Sequence, residues 1–154
     1  EDAFKFAKMG GTIDLTCGES ESKFHSVADA VKKAKKEGVP MEKVTMSSDG
    51  QGSWSNYDAE GKLVEIGVSD VDTIYRQIVY MVKEENMDLE ELLALGTKNP
   101  AMALELYPKK GAVKEESDAD ILIMNEDLSL DTVIAMGVPM MRDGKILKKG
   151  TYEK

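Results

Sequence analysis

Residues 47–53, Ser-Ser-Asp-Gly-Gln-Gly-Ser, are the densest polar and glycine-rich stretch of the sequence, and they follow directly on an apolar run centred on Val44, Thr45 and Met46. In α/β and barrel folds, ligand and catalytic groups sit at the carboxyl ends of strands, where loops vary while the sheet holds their ends. Asp49 in such a place can serve as a general base or a metal ligand. The Asp49-Gly50 pair is equally readable as a turn and nothing more. Gly50 and Gly52 permit positive φ and close approach of a substrate, and Ser53 offers a hydroxyl to a carboxylate. No Lys-Ser or Lys-Thr pair follows the glycines, which argues against a phosphate-binding loop. His25, the one imidazole, stands in a polar stretch before a helix and reads as a surface or capping residue. Cys17 ends a strand, where a nucleophile can sit, but a lone thiol without a His partner reads as packing. Trp54 and Tyr57 after the glycine loop can wall a pocket or simply pack.

The elements that must position these groups are legible from periodicity. Residues 11–17 read as a strand, with Ile13 and Leu15 among Thr12 and Thr16, and residues 19–23 as a polar loop. Val27, Ala28, Val31 and Ala34 repeat at helical spacing over residues 26–37, with Lys32, Lys33, Lys35 and Lys36 on a solvated face and Gly38 as the stop. A second strand is expected over 43–48, giving strand, helix, strand and then a polar loop, which is βαβ order. Residues 54–68 read as a loop or small hairpin turning at Glu60-Gly61. Val71, Ile74, Tyr75, Ile78, Val79 and Val82 form one apolar stripe of a helix capped by Ser69 or Asp70. Asp88 to Glu91 is a variant capping box for a short helix stopped by Gly96, and Asn99-Pro100 supplies a cap and a first-turn proline for a helix over 101–106. The last 40 or so residues become short β-type runs, at 119–124, 132–136, 138–142 and 145–148, with Asp143-Gly144 as a type I′ hairpin turn. A boundary is expected near Gly111, dividing residues 1–111 from 112–154. Six of the methionines, Met46, Met81, Met102, Met124, Met136 and Met140, fall at apolar positions and read as core filling.

Composition narrows the function classes. The chain has 154 residues, 20 basic against 29 acidic side chains and a net charge of −9. That sign removes the electrostatic attraction on which nucleic-acid and anionic-membrane binding depend, so neither is an expected partner. One Cys and one His cannot build a disulfide, a zinc ribbon or a His-rich metal site within this chain. No run of about 18 apolar residues spans a bilayer and no secretory leader opens the sequence, so a cytoplasmic setting is expected. The opening residues read as the end of a helix that leads straight into a strand, as in a chain that begins in mid-fold.

The order of motifs is more specific than any one of them. Asn99-Pro100-Ala101 within 97–106, then Lys110-Gly111, then Ser117-Asp118-Ala119-Asp120 with its apolar run, then Gly137-Val138-Pro139-Met140 and Arg142-Asp143-Gly144-Lys145 resemble the carboxyl-terminal part of the amidohydrolase superfamily. Within it, residues 10–16 (Gly-Gly-Thr-Ile-Asp-Leu-Thr) and 44–53 resemble the isoaspartyl dipeptidase family of β-aspartyl peptidases. The resemblance covers nearly the whole chain. It implies an α/β fold consisting of the carboxyl-terminal portion of a (β/α)8 barrel plus a few strands of a small β-sandwich. A complete barrel needs about 250 residues, so apolar edges are expected to be exposed here.

The same resemblance implies roles. Asp49 matches the family's aspartate at the end of the eighth barrel strand, which ligates one metal and exchanges protons with the hydroxide bridging two zinc ions. Ser53, with Gly52 beside it, matches a substrate-binding position. Cys17 replaces a hydroxyl residue of the pattern. The family's metal-binding histidines and carboxylated lysine lie upstream of Glu1 and have no counterpart in this chain. The implied activity is zinc-dependent hydrolysis of the β-aspartyl amide of isoaspartyl dipeptides, in an enzyme completed by its amino-terminal part and expected to be a homo-oligomer, with the 154-residue portion inactive and metal-free alone. The alternatives are a hydantoinase, dihydroorotase or deacetylase relative, and a non-catalytic α/β module that binds through residues 50–57.

Overall fold

The computed structural model describes residues 2–150, so residues 151–154 of the expected second unit lie outside the described residues. Two short strands, β1 (Ile13–Thr16) and β2 (Val44–Ser47), run parallel, with Ile13 beside Val44 and Thr16 beside Ser47. Strand alternation separates their side chains. Val44 and Met46 are buried with Ile13 and Leu15 packed into the same helical core, while Asp14, Thr16, Thr45 and Ser47 take the other face. Before β1 comes α1 (Asp2–Lys8), which buries Ala7. The βαβ crossover is α2 (Glu21–Lys36), followed by a 3-10 turn at Met41–Lys43. It buries the expected stripe Val27, Ala28, Val31 and Ala34.

The helix starts five residues before residue 26, where its apolar repeat places the expected start. Ser20 is the N-cap, its hydroxyl accepting from the Lys23 amide at 3.2 Å, so residues expected as polar loop form the first turn. The lysine face is also less idle than expected: Lys32 pairs with Glu85 at 2.5 Å and Lys35 pairs with Glu91, tying α2 to its neighbours. Glu85 follows α3 (Thr73–Lys83) and Glu91 lies in α4 (Leu89–Gly96), after which comes α5 (Lys98–Ala103). Asp88 caps α4 as its spacing predicts, accepting from the Glu91 amide at 2.9 Å. The cap of α3 is Asp72, without a side-chain cap bond, rather than Ser69 or Asp70. Asn99 is not a cap at all. It lies inside α5, 4% exposed, and its amide nitrogen donates to the carbonyls of Met41 and Val44, both at 2.8 Å. Of the expected core methionines, Met46 and Met81 are buried, but Met102 and Met136 are exposed.

Beyond β2, β3 (Ser53–Tyr57) and β4 (Leu63–Val68) form an antiparallel hairpin, and a third sheet takes β5 (Ile121–Met124), β6 (Leu130–Ala135), β7 (Val138–Arg142) and β8 (Lys145–Ile146) in that order. Both tight hairpins of this sheet use paired positive φ, as type I′ turns require: Asp143 and Gly144 at 50° and 68°, and Met136 and Gly137 at 50° and 76°. The second turn places Met136 in solvent, which is why it fills no core. Apolar edges are exposed as expected, among them Val64, Ile66, Val68 and Val113. No helix among the described residues is long and apolar enough to cross a membrane.

The segment entering the four-stranded sheet is held by charge. Lys110 reaches Asp118 at 3.0 Å and Asp120 at 2.5 Å, and Asp120 also accepts from the Met136 amide at 2.7 Å. Lys110 first, then that amide, hold the Asp120 carboxyl below its ordinary 3.8. A depressed carboxylate stabilises the fold above its ordinary pKa and loses that contribution as pH falls through the lowered one. The difference in urea midpoint between the native chain and Asp120→Asn is therefore expected to be constant from pH 7 to about 5 and to shrink below about 4. A difference unchanged down to pH 2 would contradict the clamp.

Candidate functional site

The carboxyl end of β2 runs into a turn whose backbone is unusual in a specific way. Asp49 and Gln51 have φ of 50° and 65°, while Gly50 and Gly52 do not. This reverses the expectation that the glycines carry the positive φ. Each non-glycine in the left-handed region costs on the order of 1 kcal/mol, so the surroundings must impose the shape. They do so on both sides. Upstream, the Ser48 hydroxyl accepts from the Gly50 amide at 3.0 Å, and the fully buried Thr73 hydroxyl lies 3.4 Å from the Ser48 carbonyl. Downstream, the Gly52 amide donates to the Asp49 carbonyl at 2.8 Å. Gln51 donates to the Ser69 carbonyl at 2.8 Å and Ser69 donates back to Gly52 at 2.9 Å, which extends the β3/β4 ladder to the turn.

The glycines are needed for space. A Cβ on Gly52 would lie 2.8 Å from both the Asp49 carbonyl oxygen and its Oδ1, and one on Gly50 would lie 2.8 Å from Val71 Cγ1. Asp49 itself is exposed, and among the described residues its carboxylate has no hydrogen-bond or ion-pair partner. A carboxylate held in a fixed turn at a strand end, with its acceptor sites open, can take a proton or ligate a cation.

The remaining sequence-derived candidates separate. Ser53 opens β3, opposite Val68 and next to Gly52, so it adjoins the Asp49 turn. Tyr57 is exposed at the far end of the hairpin, and the Trp54 ring lies over Gly67, where an added Cβ would come within 2.1 Å of it. Trp54 therefore packs within the hairpin. His25 sits in the first turns of α2, its Nδ1 2.6 Å from the Tyr80 hydroxyl, which also donates to Glu85 at 3.1 Å. It is exposed on the helical flank, and no residue of the 47–53 segment is among its partners. Cys17 is buried, and burial first, then the Asp14 charge, push its thiol up to about 12. That removes the thiolate a nucleophile needs.

Two groups near the turn escaped the sequence. Glu19 accepts the Asp70 amide at 2.8 Å, joining the loop after β1 to the segment before α3. Asp14 accepts from Thr45 at 2.7 Å and from Ser47 at 2.5 Å. The signal for Asp14 was present, since Ile13-Asp14-Leu15-Thr16 alternates apolar with polar and so turns an acid to the face opposite the helices.

A metal site can be tested on these residues. Among the described residues, no three His, Cys, Asp or Glu side chains are grouped to hold a cation. Asp49 has the chemistry and openness of a single ligand, and the set here fits one coordination position.

A model of the amidohydrolase family matches residues 4–147. A solved β-aspartyl dipeptidase from the thermophilic, keratin-degrading Fervidobacterium islandicum AW-1, in complex with β-Asp-Leu dipeptide, superposes with a TM-score of 0.82 at 35% identity, over 99% of this chain and 39% of that one. A second structure of a β-aspartyl dipeptidase from that organism gives 0.72 at 31% identity, over 99% and 36%. A dihydroorotase from Methanosphaera stadtmanae is 30% identical over 88 residues, 57% of this chain and 17% of its own length. N-acetylglucosamine-6-phosphate deacetylase from Pasteurella multocida shares the fold, with a TM-score of 0.57 at 19% identity. The chain thus spans well under half the length of each of these relatives.

Proposed function

The chain belongs to the amidohydrolase family, and from that premise we propose that it supplies the acid/base carboxylate, Asp49, of a zinc-dependent isoaspartyl dipeptidase. Its architecture is the carboxyl-terminal portion of a (β/α)8 barrel with a few strands of a small β-sandwich, β1 and β2 being the barrel strands. In this reading the chain divides near Gly111, since the parallel pair and its helices precede that residue and the four-stranded antiparallel sheet follows it.

The observation that carries the proposal is the open, rigidly turned Asp49 carboxylate at the carboxyl end of β2, in a chain 35% identical over 99% of its length to a solved β-aspartyl dipeptidase. Asp49 accepts the proton of the attacking water on a carboxylate oxygen and returns it to the nitrogen of the leaving amine. Ser53 donates its hydroxyl to a substrate carboxylate, and Gly52 leaves the space in which the Asp49 side chain stands. Zinc, when bound, would polarise the scissile carbonyl and lower the pKa of water to about 7. This chain's contribution to that centre is Asp49 as one ligand.

A specific consequence concerns Gly52. Its added Cβ would meet Asp49 Oδ1 and the Asp49 carbonyl at 2.8 Å, so Gly52→Ala must shift the carboxylate. Misplacing a reacting group by about 1 Å can cost roughly 100-fold. Gly52→Ala in the intact protein is expected to lose 10- to 100-fold in kcat, while Gly61→Ala, in open space in the turn of the hairpin, costs some stability through its φ of 81° but leaves kcat unchanged. Equal kcat for Gly52→Ala and the native enzyme would contradict the site.

The dihydroorotase likeness favours a second reading, ring-opening of a cyclic amide, with the same role for Asp49. Metal-loaded intact protein assayed on β-Asp-Leu and on dihydroorotate separates the two. The proposal expects the dipeptide to be cleaved and the ring left closed, and the reverse outcome overturns it in favour of the second reading. The 154-residue chain by itself is expected to be inactive on both.

A further inference from the structure

We propose that Asp14 is a positioning residue, which fixes the carboxyl end of β2 two residues before Asp49; the inference rests on the acid/base reading of Asp49. Asp14 is the one acid in β1, and it takes the face opposite the helical core. Both of its oxygens are spent on the neighbouring strand. Oδ1 accepts from Thr45 Oγ1 at 2.7 Å and Oδ2 accepts from Ser47 Oγ at 2.5 Å. Residues 45 and 47 lie on one face of β2 by alternation, so one rigid carboxylate plane ties two successive side chains of that face to β1. Hydrogen bonds to an ionised acceptor are shorter and stronger than neutral ones, and these two set both the rotamers and the local direction of β2.

The position of this brace matters more than its strength. Two residues reach at most about 7 Å, so Asp49 follows within one short span of the residue that Asp14 holds. The Ser47 carbonyl also accepts from the Cys17 amide at 2.8 Å, which extends the pairing of the two strands to the start of the turn. Downstream of Asp49 the restraints are backbone bonds to Gly52 and Ser69. Upstream, the side-chain restraints are Thr73 on Ser48 and Asp14 on Ser47. A strand in which position 14 served packing alone would be better filled by a β-branched apolar residue. The carboxylate is explained by the need to aim the end of β2, and it acts through Ser47 rather than on substrate.

The test uses the intact protein with Asp14→Val, which removes both acceptors, Asp14→Asn, which keeps one carbonyl acceptor, Ser47→Ala, and the double variant Asp14→Val/Ser47→Ala. Outer-shell partners of a metal-ligating group typically account for 10- to 100-fold in affinity or activity. Asp14→Val is expected to lower kcat on β-Asp-Leu by 10- to 100-fold with KM within about twofold, and to weaken zinc affinity, titrated against a chelator, by about tenfold. Asp14→Asn recovers part of both losses. The double variant is no worse than Asp14→Val alone, because the two residues act as one unit. A rise in KM at constant kcat would make Asp14 a substrate contact and overturn the proposal, as would additive losses in the double variant. Should Asp14→Val fail to fold, Asp14→Asn and Ser47→Ala decide by the same criteria. Should the native protein leave β-Asp-Leu intact, the dipeptidase reading fails by itself; the zinc titration then still decides for or against Asp14, an unchanged affinity overturning the brace.

Discussion

Asp49→Asn in the intact protein is expected to lower kcat on β-Asp-Leu by about 1,000-fold or more, with no loss of stability. General acid/base groups contribute about 100- to 10,000-fold, and Asp49 is assigned metal ligation as well, which puts the expected loss toward the upper end. Stability should be spared for a structural reason. Asn is nearly isosteric with Asp and tolerates the left-handed region that φ of 50° requires. The carboxylate has no partner among the described residues, so no bond is broken. Asp49→Ala should be equally inactive but slightly less stable, since alanine does not favour that φ. Zinc stoichiometry gives a second readout, falling for both variants if Asp49 is a ligand. Unaltered turnover in Asp49→Asn would remove the residue from the chemistry.

The opposite separation is expected at Asn99, where stability falls and the site is left alone. Its amide nitrogen holds the Met41 and Val44 carbonyls, each at 2.8 Å, and the side chain is buried. This joins α5 to the amino end of β2, the end away from Asp49. Met41 keeps a second partner, the Val44 amide, so the penalty of Asn99→Ala falls mainly on the Val44 carbonyl and on the space left behind. A buried carbonyl losing its donor costs about 1–3 kcal/mol, and the loss in urea-unfolding free energy is expected to be about 2–3 kcal/mol. Asn99→Asp should be no better, because a carboxylate cannot donate to either carbonyl. Activity per folded molecule should stay within about twofold of native. Loss below 0.5 kcal/mol, or a large fall in kcat at constant stability, would show that the residue has another role.

Asn99 also illustrates where the sequence stops being informative. Next to Pro100 it has every local mark of a helix cap, and only the fold shows that its partners are 55 and 58 residues away. The apolar stripe of α2, the Asp88 cap and the Asp143-Gly144 turn were legible because each is decided within a few residues, whereas the buried face of α3 runs through Thr73, Gln77, Ile78 and Met81, and Val71 of the expected stripe is exposed before the helix begins. The first turn of α2 was missed because Glu21, Ser22 and Lys23 carry no apolar signal, and the Ser20 cap had to be seen to start it there. Met136 looked like core by type, but the turn it shares with Gly137 turns it outward.

The site follows the same division. The position of Asp49, in a polar turn at the end of an apolar strand, could be read directly. The reason for its glycines could not, because the positive φ falls on Asp49 and Gln51 instead, in a turn closed by the Gly52 amide on the Asp49 carbonyl and by the Gln51 amide on Ser69, 18 residues further on in the chain. Alternation in β1 turns Asp14 to the face opposite the helices, but its partners Thr45 and Ser47 are evident only once the two strands are in register. Motif order carried the family, and the fold supplied the placement of each residue.

We propose that Asp49 drives hydrolysis of a β-linked aspartyl amide. Its most direct measurement is product release from β-Asp-Leu and from α-Asp-Leu by zinc-loaded intact protein, native and Asp49→Asn, under identical conditions. The account predicts leucine from the β-linked dipeptide alone, and from the native protein alone. Release from both linkages, or from Asp49→Asn at the native rate, would contradict it.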